Sequence, residues 1–186
     1  MKLIDNNFSI DSKPYISLYA YRTEAKTWYD LGFYKHHYLT SQLNPSCKCF
    51  VFTWDEEPVC FIGLLNTPRK GIPNGMSISR IVCLPDYQGI GIAKRCIEFI
   101  CSIASNCGHI MYIKTIHEKF GKYLENSINW TPTSYNGKKR AIFNEESKYK
   151  NRLERPSYCF RFCGKPLEGY DELMLPISEL RNRKKK

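Results

Sequence analysis

An α/β fold built on one mixed sheet is what the sequence predicts, and three observations predict it. Two β-rich runs, 47–54 and 58–65, flank the polar tripeptide Asp55-Glu56-Glu57, the pattern of an antiparallel hairpin. An alternating, then apolar run over 76–84 leads into a helix-period segment over 91–106 and then into another short β-rich run over 109–115. A strand-helix-strand order within one sheet implies a parallel pair with a right-handed crossover. The sheet is therefore expected to be antiparallel early and parallel at its centre. At 186 residues the chain suits one domain, typically about 100–200 residues, so 1–186 is read as a single unit.

Taken in chain order, PYISLYAY (14–21) reads as a first strand. Residues 23–34 read as a helix, with Trp28, Leu31 and Tyr34 recurring on one side and Phe33 as a competing inward position. CKCFVFTW and PVCFIGLL form the hairpin, and the connector NTPRKGIPNG (66–75) leads to MSISRIVCL (76–84), which Pro85 stops. In the following helix Ile92, Cys96, Ile100 and Ile103 define an apolar face, while Lys94, Arg95 and Glu98 fall elsewhere. Gly108 is suited to a left-handed cap. HIMYIKT (109–115) is a strand and 117–128 a second helix ending before Trp130-Thr131-Pro132. The segment 136–156 is basic and irregular, PSYCFRFCG (156–164) is a late strand, and 181–186 is a basic tail.

Composition removes several classes of function. With 42% hydrophobic and 25% charged residues the chain is not of disordered composition. No apolar run approaches the ~20 residues of a membrane span; the longest, 97–104, contains Glu98. MKLIDNNFSI lacks the apolar core of a secretory signal, so the expected location is cytoplasmic. The nine cysteines include no CxxC pair, and neither Cys47-x-Cys49 nor Cys159-x3-Cys163 comes with a second pair at zinc-site spacing, so no metal is expected. Of the 28 Lys and Arg, 14 lie in 138–186 against 7 acidic residues there. That basic quarter is a solvated surface or a contact for nucleic acid or an acidic partner.

Chemistry concentrates in Leu84-Pro85-Asp86-Tyr87-Gln88-Gly89-Ile90-Gly91-Ile92-Ala93-Lys94, where a buried strand enters an amphipathic helix through a glycine loop. The first amides of a helix have no internal partners and sit in positive potential, so this junction suits a phosphate or pyrophosphate. An ordinary strand-to-helix turn also favours glycine. The loop is not a Walker A motif, which needs Gly-Lys-Ser/Thr, nor a Rossmann fingerprint, which needs a third glycine.

Gln88-Gly89-Ile90-Gly91-Ile92-Ala93 resembles the central motif of the GNAT superfamily of N-acetyltransferases: a strand, often a Pro, then Q/R-x-x-G-x-G/A opening a helix. The wording from Leu84 to Gly91 is a common form of it, and the order of elements over 45–130 agrees. The resemblance implies a single-domain GNAT fold, a mixed and mostly antiparallel sheet flanked by helices with a splayed parallel pair at its centre. It also implies acetyl-CoA as acetyl donor. The backbone of Ile81, Val82 and Cys83 would line pantetheine and the acetyl carbonyl, and Gln88, Gly89, Ile90, Gly91, Ile92, Ala93 and Lys94 would hold the pyrophosphate. Direct attack by an amine, with no acyl-enzyme, is implied, although Cys83 lies near the acetyl position.

Family members frequently protonate the leaving thiolate with a Tyr about five residues before an aromatic that Trp130 matches. Counting back reaches Glu125, with Tyr123 two residues away. Tyr123, His117 and Glu118 are the candidate catalytic residues, and His36, His37 and Tyr38 the candidate substrate-facing ones, with His36 and His37 also candidate bases. The expected function is acetyl transfer to a primary amine on a small molecule or protein, including an acidic or nucleic-acid-linked acceptor, with a homodimer among the partners considered. The alternatives are a GNAT-fold module that binds acyl-CoA without turnover and a basic nucleic-acid-binding protein.

Overall fold

The computed structural model describes residues 4–6, 16–37, 40–138 and 156–183. Its strands are β1 (Ile4–Asn6), β2 (Leu18–Thr23), β3 (Lys48–Trp54), β4 (Glu57–Asn66), β5 (Gly75–Cys83), β6 (Ile110–Thr115), β7 (Trp130–Pro132) and β8 (Tyr158–Phe162). The helices are α1 (Thr27–Asp30), α2 (Ile92–Asn106), α3 (Glu118–Asn126) and α4 (Ile177–Arg183). One eight-stranded sheet runs β1-β2-β3-β4-β5-β6-β8-β7. Every described pairing is antiparallel except β5 with β6. The mixed sheet with a central parallel pair is thus as expected.

Alternation along the strands sends side chains to two cores. Phe50, Phe52, Ile62, Leu64, Met76, Ile78, Met111 and Ile113 face α2, whose Ile92, Cys96, Ile100 and Ile103 are all buried against them. Cys49, Val51, Phe61 and Val82 face the other way and pack with Trp28 and Phe33. α2 ends as its sequence indicates: Gly108 has φ 80°, and the N–H of His109 donates to the Ala104 carbonyl at 2.9 Å.

Several expectations need correction. The helix expected over 23–34 is only the single turn of α1, because Gly32, at φ 72°, breaks it. A 3-10 turn, Phe33–His36, follows, and Trp28 and Phe33 are the inward residues while Leu31 is exposed. Arg95 and Glu98 do not lie on a solvated face; both are buried. The Glu98 carboxylate accepts hydrogen bonds from the Tyr123 hydroxyl and from Ser127 Oγ, which compensates its loss of water. The strand expected over 14–21 is β2, which begins at Leu18, and β1, β7 and α4 were not anticipated. Most of 136–156, and residues 184–186 of the basic tail, lie outside the described residues.

The hairpin turn is tighter than three residues. Glu57 pairs with Trp54, leaving Asp55 and Glu56 as a two-residue loop with φ of 49° and 66°. Two consecutive positive φ values are the requirement of a type I′ turn, which Asn-Gly satisfies without side-chain strain. Replacing Asp55→Asn together with Glu56→Gly is expected to stabilise the protein by about 1 kcal/mol, seen as a higher urea midpoint with an unchanged slope.

Candidate active site

The β5–β6 ladder contains four residue pairs, Gly75↔Ile110 to Ile78↔Ile113. Beyond it the strands follow different partners. β5 continues along β4 to Cys83↔Cys60, with a register shift that leaves Ser79 as an extra residue between Ile78 and Arg80. β6 continues along β8 to Thr115↔Tyr158. A bulge of this kind bends its strand and increases the local twist, so 79–83 diverge from β6 and a gap opens through the sheet.

Which backbone groups border the gap follows from antiparallel alternation. The N–H of Leu84 donates to the opposed Val59 carbonyl at 3.0 Å. Alternate residues then point the same way, so Val82 directs its N–H and C=O to β4, whereas Ile81 and Cys83 turn theirs toward the gap. Val82, expected beside them, instead contributes a buried side chain to the α1-side core. The Cys83 carbonyl accepts from Gln88 Nε2 at 2.8 Å, which ties the glycine loop to the end of β5.

After a 3-10 turn at Pro85–Tyr87, Gly89 and Gly91 adopt φ of 87° and 86°. A Cβ at either would meet no heavy atom within 4 Å, so the loop is open on the side a ligand would occupy. The first helical bond runs from the Arg95 N–H to the Gly91 carbonyl at 3.1 Å. The amides of Ile92, Ala93 and Lys94 therefore precede the helix's own ladder. The first turn of this 15-residue helix carries no acidic residue. These donors and the open loop fit the diphosphate of a coenzyme A.

Cys83, at the gap, has its Sγ–H directed at the Tyr87 carbonyl, 3.3 Å away. Burial, and then the neighbouring Cys60, push its pKa up to about 12. It is a thiol at neutral pH and a poor nucleophile.

The three candidates on α3 have distinct surroundings. His117 caps the helix, its Nδ1 accepting from the Phe120 N–H at 3.2 Å. Glu118 is exposed and pairs with Lys122 at 2.7 Å. Tyr123 is half-buried beneath Lys94, whose Nζ lies 5.1 Å from the ring centroid, and its hydroxyl donates to Glu98. Burial, and then the Glu98 hydrogen bond, raise the phenol's pKa.

On the opposite face, His36 is exposed, Tyr38 lies outside the described residues, and His37 is half-buried. The His37 ring meets Trp28 edge-on at 5.9 Å, and its Nδ1 lies 3.1 Å from the Thr40 carbonyl and 3.4 Å from the Thr40 backbone nitrogen. Burial, then the positive charge of Arg80, hold its pKa below 6.5. Arg80 follows the bulge on β5 and donates to the carbonyls of Ser79 and Gln42 at 2.8 and 2.9 Å. The fold thus brings His37 within electrostatic reach of Arg80 on β5. Arg80 was missed in the sequence, where a cation inside MSISRIVCL was the available signal. A cavity of about 450 Å³ at the gap's vertex, with Arg69, Tyr112, Lys114 and Tyr135 in its lining, was missed too. Among the described residues, no group of three or more His, Cys, Asp or Glu is arranged to hold a metal ion.

Residues 12–120 match the profile of the acetyltransferase (GNAT) family. The chain belongs to that family. Solved structures agree in fold. The ribosomal-protein-S18-alanine N-acetyltransferase of Escherichia coli superposes with a TM-score of 0.57 at 10% identity, covering 83% of this chain and 97% of that one. A GNAT family acetyltransferase of Elizabethkingia anophelis with acetyl-CoA bound gives 0.54 at 18% identity, covering 78% and 95%. A variant of the spermidine N-acetyltransferase of Vibrio cholerae gives 0.57 at 11%, covering 77% and 92%. A search of curated protein sequences returned no match. No helix among the described residues of this GNAT chain is long and apolar enough to cross a membrane.

Thiol chemistry separates buried from exposed cysteines. Iodoacetamide at pH 7.5, a value chosen about one unit below an ordinary thiol pKa, is expected to label Cys163 and Cys107, which are exposed, and to spare Cys83 and Cys49, whose burial places both near pKa 12. Peptide mapping by mass spectrometry checks this; early labelling of Cys83 would contradict its assignment as an inert thiol.

Proposed function

We propose that this protein is an acetyl-CoA-dependent N-acetyltransferase that passes the acetyl group directly to a primary amine. The gap between β5 and β6, opening beside the amide-bearing loop Gln88–Lys94, carries the reading. Coenzyme A supplies the activated thioester; the remaining roles belong to the chain. Amides from Gly89 to Lys94 hold the diphosphate, and the edge of β5 at Ile81 and Cys83 aligns the pantetheine arm. A backbone N–H aimed at the thioester oxygen favours the tetrahedral state formed when the amine attacks. The high pKa of Cys83 supports attack by the amine itself over a cysteine acyl-enzyme.

His37 is assigned as the base that keeps the amine neutral, directly or through water. Its depressed pKa leaves the imidazole neutral, and so able to accept a proton, at pH 7. Tyr123 is assigned to the departing thiolate, with Glu98 orienting its hydroxyl; His117 caps α3, and Glu118 pairs with Lys122 on its exposed side. The engagement of Tyr123 with Glu98 favours one second reading, a module that binds acyl-CoA without turnover. Cofactor binding with no acetyl transfer across a broad amine panel would establish that reading instead.

Calorimetry with acetyl-CoA is expected to show specific binding that Gly91→Glu abolishes, because that residue combines a positive φ with added bulk and negative charge at the diphosphate. No binding by a folded wild type would overturn the proposal. For the base, kcat/KM is expected to fall on the acid side with an apparent pKa below 6.5. His37→Gln should remove that limb and reduce kcat/KM roughly 100-fold. The same depressed pKa carries a stability consequence: below about pH 6.5 the unfolded chain takes up this proton first, so His37's contribution to stability declines as pH falls.

A further inference from the structure

We propose that the acceptor amine is carried on a small molecule bearing a carboxylate or a phosphate, and that Arg69 and Lys114 bind this anion in the cavity beside the β5–β6 vertex. The inference rests on the acetyl-transfer reading above and names its substrate class.

Position is the first argument. Ile78 and Ile113, the last paired residues of the parallel ladder, line the cavity, so it reaches the point where the gap begins. Directly paired residues share a face of a sheet, and Ser77 pairs with both Leu65 and Tyr112, while Lys114 pairs with Cys159. Leu65 packs in the core of Trp28 and Phe33. Ser77, Tyr112 and Lys114 therefore lie on the α1 side of the sheet, as do Arg80 and His37. The glycine loop opens α2, which packs on the opposite side. Donor and acceptor would then approach the gap from opposite faces, with the base on the acceptor's side.

Charge and form are the second argument. Among the described residues, the lining includes two cations, Arg69 and Lys114, and no acidic residue. Arg69 is held in place: its guanidinium lies 4.6 Å from the centroid of the buried Tyr112 ring. Reciprocal backbone bonds of 3.0 and 2.8 Å with Ile72 close the turn that carries it. A preorganised guanidinium loses little freedom on binding an oxyanion, and its planar fork matches carboxylate and phosphate. Two cations in a concave site raise the local concentration of anions and repel polycations. The volume, about 450 Å³, lies in the range of small-molecule sites, about 300–1,000 Å³, so the anion belongs to a small acceptor.

The test uses amines matched except for the anion: β-alanine against propylamine, phosphoethanolamine against ethanolamine, and spermidine as polycation. Acetyl transfer is measured for the wild type and the double variant Arg69→Gln, Lys114→Gln. Acetyl-CoA affinity is measured separately by calorimetry, and direct binding of each amine by NMR of labelled protein. The expected result is a preference for an anionic amine of about tenfold or more in kcat/KM, the scale of a charged hydrogen bond. That preference should shrink to within about twofold in the double variant, and fall with salt in the wild type, while acetyl-CoA affinity holds. Whichever of β-alanine and phosphoethanolamine wins distinguishes carboxylate from phosphate. A neutral amine or spermidine used equally well, or a preference that survives the double substitution, overturns the proposal. Acetyl-CoA binding with neither anionic probe bound nor acetylated overturns it and leaves the acetyl-transfer reading standing. Anionic probes that shift the Arg69 and Lys114 resonances without any acetyl-CoA binding preserve the anion site and defeat the acetyl-transfer reading.

Discussion

The parallel ladder of β5 and β6 stops at Ile78↔Ile113 although both strands continue, and the arrangement of the site depends on that early stop. Each strand is held on its outer edge, β5 by β4 up to Cys60↔Cys83 and β6 by β8 up to Thr115↔Tyr158. The extra residue at Ser79 adds twist at the parting point. Backbone polar groups buried without partners cost about 1–3 kcal/mol each. A strand edge left unpaired inside a sheet is therefore tolerable where water or a ligand reaches it, and an extended pantetheine arm suits such an edge.

Around this gap the two faces divide the chemistry. The α2 face is apolar down to the helix start, where the positive-φ glycines Gly89 and Gly91 lead into amides that precede the helix's own ladder. The α1 face combines the aromatic cluster of Trp28, Phe33 and Phe61 with the polar groups His37, Arg80, Arg69 and Lys114. Glu98 and Tyr123 join α2 to α3. Burial raises Cys49, Cys83, Cys96 and Cys101 above the ordinary thiol range, so these cysteines serve packing and not thiolate chemistry.

Much of the fold was legible because its signals are local. The hairpin of β3 and β4, the apolar stripe of α2 and the cap at Gly108 each follow from side-chain period or glycine conformation. The glycine loop was legible for the same reason, since its requirements lie in consecutive residues. Errors arose where tertiary packing overrode the local pattern. Leu31 fitted the helical spacing of the α1 region, yet Gly32 broke the helix and Phe33 took the inward place. Glu98 falls off the apolar face of α2 by its spacing, yet it is buried and accepts hydrogen bonds from Tyr123 and Ser127, residues from a different helix and its end.

By itself the sequence determined the mixed sheet, the parallel unit at its centre and the loop suited to a diphosphate, because hydrophobic period, turn chemistry and helix-start geometry act over neighbouring residues. Only the tertiary structure decided which backbone edges of β5 face the gap, since that depends on register against β4. Only it placed His37 against Arg80, and Arg69 over Tyr112 beside Lys114. Those residues are far apart in the chain, and no local rule brings them together; strand order and pairing do.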